Sequence, residues 1–144
     1  VSTMKDVVWS IDARNDTMGG MIQYMQEHLH NMLMPANIDF ELTHTGFSEQ
    51  EKLAMNFRQN VYLTFKEAIN NVVKHSGAAR VTVDLKKENG HFTMTIRDDG
   101  HGPNSSRKSS GQGLYNMRLR ADRLKADLDI VSEKGVTIIL KVPL

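Results

Sequence analysis

Phe65-Lys66-Glu67-Ala68-Ile69-Asn70-Asn71-Val72-Val73-Lys74-His75-Ser76 is the stretch on which the reading turns. Val61, Phe65, Ile69 and Val72 recur four, four and three apart, the spacing of one apolar helix face. Glu67, Asn71 and Lys74 form a second stripe, with His75 beside it, facing away from the apolar one. By default a Glu/Lys stripe is a solvated surface. The paired asparagines argue against that, because Asn competes with the backbone for hydrogen bonds and suits a plain helix surface poorly. An amide oxygen is a hard ligand fit for Mg²⁺, which keeps most of its waters and takes phosphate oxygens for the rest. Lys74 suits a phosphate as a point charge. The helix spans about Asn56 to Ser76, and Gly77 ends it.

Two alternating strands follow, Val81-Val83-Leu85 and Phe92-Met94-Ile96, joined at Asn89-Gly90, where both residues tolerate the positive φ of a type I′ turn. The second strand runs into Asp98-Asp99-Gly100-His101-Gly102. Two glycines there let backbone approach a flat ligand closely. A buried carboxylate accepts a hydrogen bond from an exocyclic amine such as adenine N6. Alone, this run reads as an ordinary Asp-Gly turn. Residues 99–112 have the Gly, Ser, Lys, Arg and Pro composition of a mobile loop. Gly111-Gln112-Gly113 then opens a helix that runs from about Gly113 to Ala126, and free N–H groups at a helix start bind phosphate. Arg107, Lys108, Ser109 and Ser110 stand where they can close over the phosphates. Strands 128–132 and 136–142 turn at Lys134-Gly135.

Upstream, apolar residues at Met4, Val8, Ile11, Met18, Ile22, Met25, Leu29 and Met32 follow a heptad-like stripe, interrupted at Asn15. It predicts one helix ending near Asp12 and another over about 17–33, capped by Asp16 or Thr17. Residues 1–12 either pack on the domain's own core or are the tail of a dimerising helix. The expected boundaries are 1–16 for helix end and linker and 17–144 for the main domain. Pro35 stops the helix, Ile38, Phe40 and Leu42 alternate as a strand, and 44–55 form an irregular polar connection. The elements predict an α+β two-layer sandwich: a mixed, mostly antiparallel sheet with about three helices on one face.

The chain has 144 residues, no cysteine and a net charge of +1. That suits one domain and leaves no disulfide or thiolate metal site. Basic residues are scattered and aromatics are 6%, so no nucleic-acid partner is expected. No apolar run reaches the roughly 20 residues of a membrane span, and no membrane contact is expected. No signal peptide is visible, and the first residue is not Met, so a piece of a longer protein is expected. No Gly-x-x-x-x-Gly-Lys-Ser/Thr run exists, which excludes a P-loop at the motif level.

The three blocks resemble the catalytic ATP-binding domain of bacterial sensor histidine kinases in the GHKL superfamily. Residues 65–76 look like its N box, Asp98-x-Gly100-x-Gly102 like the first glycine box and Gly111-x-Gly113-Leu114 like the second. Gly113-Leu114-Tyr115-Asn116-Met117-Arg118-Leu119-Arg120-Ala121 is similar to the subfamily paired with helix-turn-helix response regulators, as are Val8-Trp9-Ser10-Ile11 and Asn15-Asp16-Thr17. The resemblance spans nearly the whole chain. It implies the GHKL (Bergerat) ATP-binding fold, a cytoplasmic place in a membrane-anchored sensor, and ATP and Mg²⁺ as cofactors. Its implied partners are ATP/ADP, a histidine-bearing dimerisation domain of the same full-length protein, and a response regulator. Asn71 would ligate Mg²⁺, and Glu67 would polarise the attacking group or a water. Lys74 and His75 would approach the phosphates, and Asp98 would read adenine. Gly100, Gly102, Gly111, Gly113 and Leu114 would form the nucleotide floor and lid hinge. Val136 follows Gly135 where many relatives carry Thr, and Thr137 is the residue expected toward the adenine in its stead.

The pattern departs from the family in two further ways. There is no phosphoacceptor motif, since His28 and His30 lie past the junction, so the acceptor is expected elsewhere and this chain alone is expected not to phosphorylate itself. The aromatic F-box between the glycine boxes is also absent, which leaves a short lid. Two alternatives remain: an anti-sigma-factor-like serine kinase, which the Asn-Met-Arg-x-Arg segment and Trp9 speak against, and a non-catalytic nucleotide-binding module, which intact Glu67 and Asn71 speak against.

Overall fold

A computed structural model describes residues 4–5, 8–9, 16–100, 111–133 and 135–144. Helix α1, Met18–Leu33, starts where expected: the Thr17 hydroxyl accepts from Gly20 N–H at 3.1 Å. Its first turn is also met by the connection that follows β1. Met18 N–H and Gly19 N–H donate to the Glu51 and Glu49 carbonyls, both at 2.8 Å. The 44–55 segment is therefore tied to α1, including a bridge between Thr17 and Lys52 and an ion pair of Lys52 with Asp16 at 3.1 Å.

Strand β1, Asp39–Thr45, leads through that segment to α2, Met55–Asn71. The α-helix then widens into a π-helical turn, Val72–Ser76, and stops at Gly77 in the left-handed region, φ 65°. Strands β2, Arg80–Glu88, and β3, His91–Asp98, form the expected hairpin, with Asn89 and Gly90 at φ 54° and 76°. Helix α3, Gly111–Arg123, begins two residues earlier than the sequence suggested, and β4, Asp127–Glu133, and β5, Gly135–Pro143, complete the chain. Lys134, in the expected β4–β5 turn, lies outside the described residues.

The sheet order is β1-β2-β3-β5-β4. Among the described strands only the β1–β2 pair is parallel, with α2 in the crossover between them. One sheet face carries Val83, Leu85, Phe92, Met94, Ile96 and Leu140, all buried, against Met25, Leu29, Phe65 and Ile69 of the helices. The other face is polar: the Thr43 hydroxyl donates to Asp84 at 2.8 Å, and Arg97 Nε to Thr137 Oγ1 at 3.4 Å. Over residues 16–144 the described elements make the expected α+β sandwich, a five-stranded mixed sheet with three helices.

Candidate functional site

Asp98 ends β3 on the helix side of the sheet and is only 4% exposed. Its Oδ1 accepts from Gly100 N–H at 2.9 Å and from Val136 N–H at 3.4 Å. Gly135 makes that seat possible. At φ 120° it occupies a region L side chains avoid, and a β-carbon there would run into the Asp98 carbonyl and come within 3.1 Å of its Oδ1. Asp98 is thus a buried acceptor oriented by two backbone donors, suited to an exocyclic amine.

Asp99 serves the scaffold. Its Oδ1 accepts from Ala79 N–H at 2.8 Å and Arg80 N–H at 2.9 Å. The Arg80 N–H above all, helped by that of Ala79, holds the carboxyl below its ordinary pKa, although partial burial opposes this. A depressed carboxyl stabilises the fold above the ordinary Asp range, and the gain disappears as pH falls through the lowered value. Asp99→Asn keeps an acceptor and loses the titration. Its urea midpoints should therefore fall less steeply than wild type below about pH 4. Parallel curves would show that Asp99 adds nothing to acid sensitivity.

Glu67 and the start of α3 touch. A β-carbon at Gly113 would strike the Glu67 carboxylate, 2.8 Å from its Cδ, so a side chain there would displace that flexible carboxylate from the helix start. From there α2 and α3 run antiparallel, and the Asn56 amide donates to the Arg123 carbonyl at 3.3 Å. Between these ends α2 turns a polar stripe inward. Asn60 is 2% and Thr64 0% exposed. Asn60 Nδ2 donates to Asn56 Oδ1 at 2.8 Å, and the Thr64 hydroxyl to the Asn60 carbonyl at 2.8 Å. Among the described residues Asn60 Oδ1 and Arg120 Nε are buried with no hydrogen-bond partner. Partial burial lowers the Arg120 pKa, Arg123 adds to this, and Glu67 pulls it back up.

Asn71 is half-buried one turn beyond Glu67, at the last α-helical position. The Asn71 amide oxygen is a hard donor that suits a Mg²⁺ keeping waters and phosphate oxygens as its other ligands. Lys74 is exposed. The π turn winds less per residue, so Lys74 and the backbone of His75 lag behind the Glu67–Asn71 stripe that α-helical spacing predicted. Leu114 is half-buried against the core, Gly100 follows the Asp98 turn, and Gly111 opens α3. Gly102, Lys108 and Ser110 lie outside the described residues.

Thr137 is the expectation that the structure corrects. It pairs with Arg97, one residue before Asp98, and accepts from its guanidinium on the polar sheet face. Strand alternation places it opposite the face that carries Asp98. Val136 meets the site instead, through its backbone N–H.

Three features escaped the sequence reading. Gly135 looked like a turn residue only, the Asn56–Asn60–Thr64 stripe lay hidden among apolar positions, and Trp9 was only a junction marker. The Trp9 ring stacks on Tyr24 at 4.4 Å and 5°, with Tyr62 at 5.2 Å. Aromatics at 9, 24 and 62 carry no periodic signal because they come from separate elements.

A family model for histidine kinase-, DNA gyrase B- and HSP90-like ATPases matches residues 57–144. The chain is 27% identical over 128 residues to the signal transduction histidine-protein kinase/phosphatase DegS of Brevibacillus brevis, covering 87% of this chain and 33% of that protein. It is 30% identical over 129 residues to the sensor histidine kinase MctS of Rhizobium johnstonii, covering 86% and 28%. The sensor protein VraS of Staphylococcus aureus is 34% identical over 96 residues, 65% of this chain and 28% of VraS. The chain thus spans about a third of the length of these curated relatives. Among solved structures, a blue-light activated histidine kinase of Erythrobacter litoralis matches at TM-score 0.72 and 16% identity, over 90% of this chain and 45% of that one. The catalytic domain of histidine kinase ThkA matches at 0.69 and 16%, over 85% and 89%. At such identities these two speak for the fold alone.

Proposed function

This chain belongs to the family of histidine kinase-, DNA gyrase B- and HSP90-like ATPases, as a sensor histidine kinase catalytic domain, and we propose that it binds Mg²⁺-ATP and passes the γ-phosphoryl group to a histidine on a separate dimerisation domain of the same protein, for relay to a response regulator. The observation that carries this reading is the buried, doubly oriented Asp98 carboxylate on the sheet that also supports Glu67 and Asn71.

Asp98 accepts from adenine N6, and the closely approaching Gly100 backbone forms part of the floor. The start of α3 offers N–H groups to the phosphates, and Lys74 adds a cation. Asn71 would hold Mg²⁺, which would supply positive charge to offset that of the phosphates. The acceptor imidazole nitrogen bonds to the γ-phosphorus, the bond to the β–γ bridging oxygen breaks, and ADP leaves. Glu67 orients that imidazole by accepting its other N–H. Positioning and charge neutralisation supply the catalysis. Among the described residues no helix is long and apolar enough to cross a membrane.

Calorimetric titration of ADP with and without Mg²⁺ tests the metal assignment. Mg²⁺ should tighten wild-type binding, and Asn71→Ala should lose about tenfold in the Mg²⁺-dependent part while its metal-free affinity stays put. An Asn71→Ala protein with an intact magnesium effect would remove Asn71 from that role. Phosphate found on a partner's serine would make the chain an anti-sigma-factor-like kinase.

A further inference from the structure

The α2–α3 seam holds a cation that none of the roles above uses. Arg120 lies seven residues beyond Gly113, two helical turns along the same α3 stripe, about 10 Å by axial rise. Gly113 is the residue pressed against the Glu67 carboxylate. Helical side chains lean toward their own N-terminus, which for Arg120 is the direction of Gly113 and Glu67. Its Nε is buried and has no hydrogen-bond partner among the described residues. A donor kept in that state costs stability, so its retention calls for an explanation. Directly beside Glu67, the phosphate-binding helix start would bring polyphosphate charge against a carboxylate, and like charges repel at that range.

We propose that Arg120 is a positioning residue for Glu67: its guanidinium, held in the seam between α2 and α3, keeps the carboxylate in place against the repulsion of the incoming phosphates. Arg120 touches neither ATP nor the acceptor in this scheme. It acts through Glu67, so the proposal rests on the reading of Glu67 as the residue that orients the attacking group. A charge at 120 is what the role needs, and the five-donor fork of arginine is secondary.

The test compares Arg120→Gln, Arg120→Lys and Glu67→Gln in the full-length protein. ADP affinity, melting temperature and the single-turnover rate of phosphoryl transfer at saturating ATP are read in each. Glu67→Gln should slow transfer by about 100-fold, the low end for a general acid–base group. Arg120→Gln should slow it by about tenfold or more, with ADP affinity within about twofold of wild type, and Arg120→Lys should recover most of the loss. Melting temperature and ADP affinity that fall with the rate in Arg120→Gln, without rescue by Lys, would make Arg120 a packing residue and overturn the proposal. An unchanged rate in Arg120→Gln, beside a slow Glu67→Gln, would overturn the proposal alone. An unchanged rate in Glu67→Gln would overturn the role of Glu67 and the proposal with it.

Discussion

Asp98→Asn should lose about 100-fold or more in ADP affinity while the domain stays folded. The variant keeps a carbonyl oxygen where Asp98 Oδ1 now accepts from Gly100 and Val136, so the backbone that seats it is undisturbed. Its amide nitrogen then presents N–H where the carboxylate offered oxygen. In a position 4% exposed, water does not relieve the mismatch between that donor and an exocyclic amine. Leaving buried polar groups unpaired costs about 1–3 kcal/mol each, and two donors facing each other cost both partners their bond. Calorimetry on wild type and variant decides it, with thermal melting as the control for folding. Undiminished ADP binding by a folded Asp98→Asn protein would remove Asp98 from the recognition of adenine.

Gly135→Ala should cost both stability and binding. At φ 120° the added methyl meets backbone strain and a hard neighbour together, the Asp98 backbone carbonyl, with the carboxylate Oδ1 of the same residue 3.1 Å away. About 3 kcal/mol of unfolding free energy should go, and the surviving folded protein should bind ADP poorly because Asp98 has been pushed off its seat. Gly90→Ala is the matched control. Gly90 also has positive φ, 76°, yet a β-carbon there meets nothing within 4 Å. It should cost only about 1 kcal/mol and leave ADP binding alone. Equal losses from the two, in urea unfolding, would mean that the Asp98 contact is not what fixes residue 135.

Much of the architecture was legible because each element obeys one short-range rule. Thr17 caps α1 by a side-chain bond three residues long, and Asn89-Gly90 closes a two-residue turn. Alternation in 81–85 and 92–96 reports a half-buried strand at every second residue. What escaped depends on distant partners. The parallel pairing of β1 with β2 joins residues 41 apart, and strand periodicity does not carry direction. The face of Thr137 follows from its register with Arg97 in another strand, so one step along β5 separates the residue that bonds to Asp98 from one on the opposite face. The π turn at 72–76 is invisible to a count that assumes 3.6 residues per turn. Of the candidate site, the motifs pointed to Asp98 and Glu67. Gly135, which seats Asp98, and the buried Asn56–Asn60–Thr64 stripe gave no such signal, because each is defined by what packs against it.

The contact between Gly113 and Glu67 also couples two distant positions. A side chain at 113 meets the Glu67 carboxylate, the free end of a flexible side chain, and enters by swinging that carboxylate aside. Bulk at 113 therefore acts on where the carboxylate sits, with little demand on the packing of the two helices. Positions 46 apart in the chain thus share control of one charge.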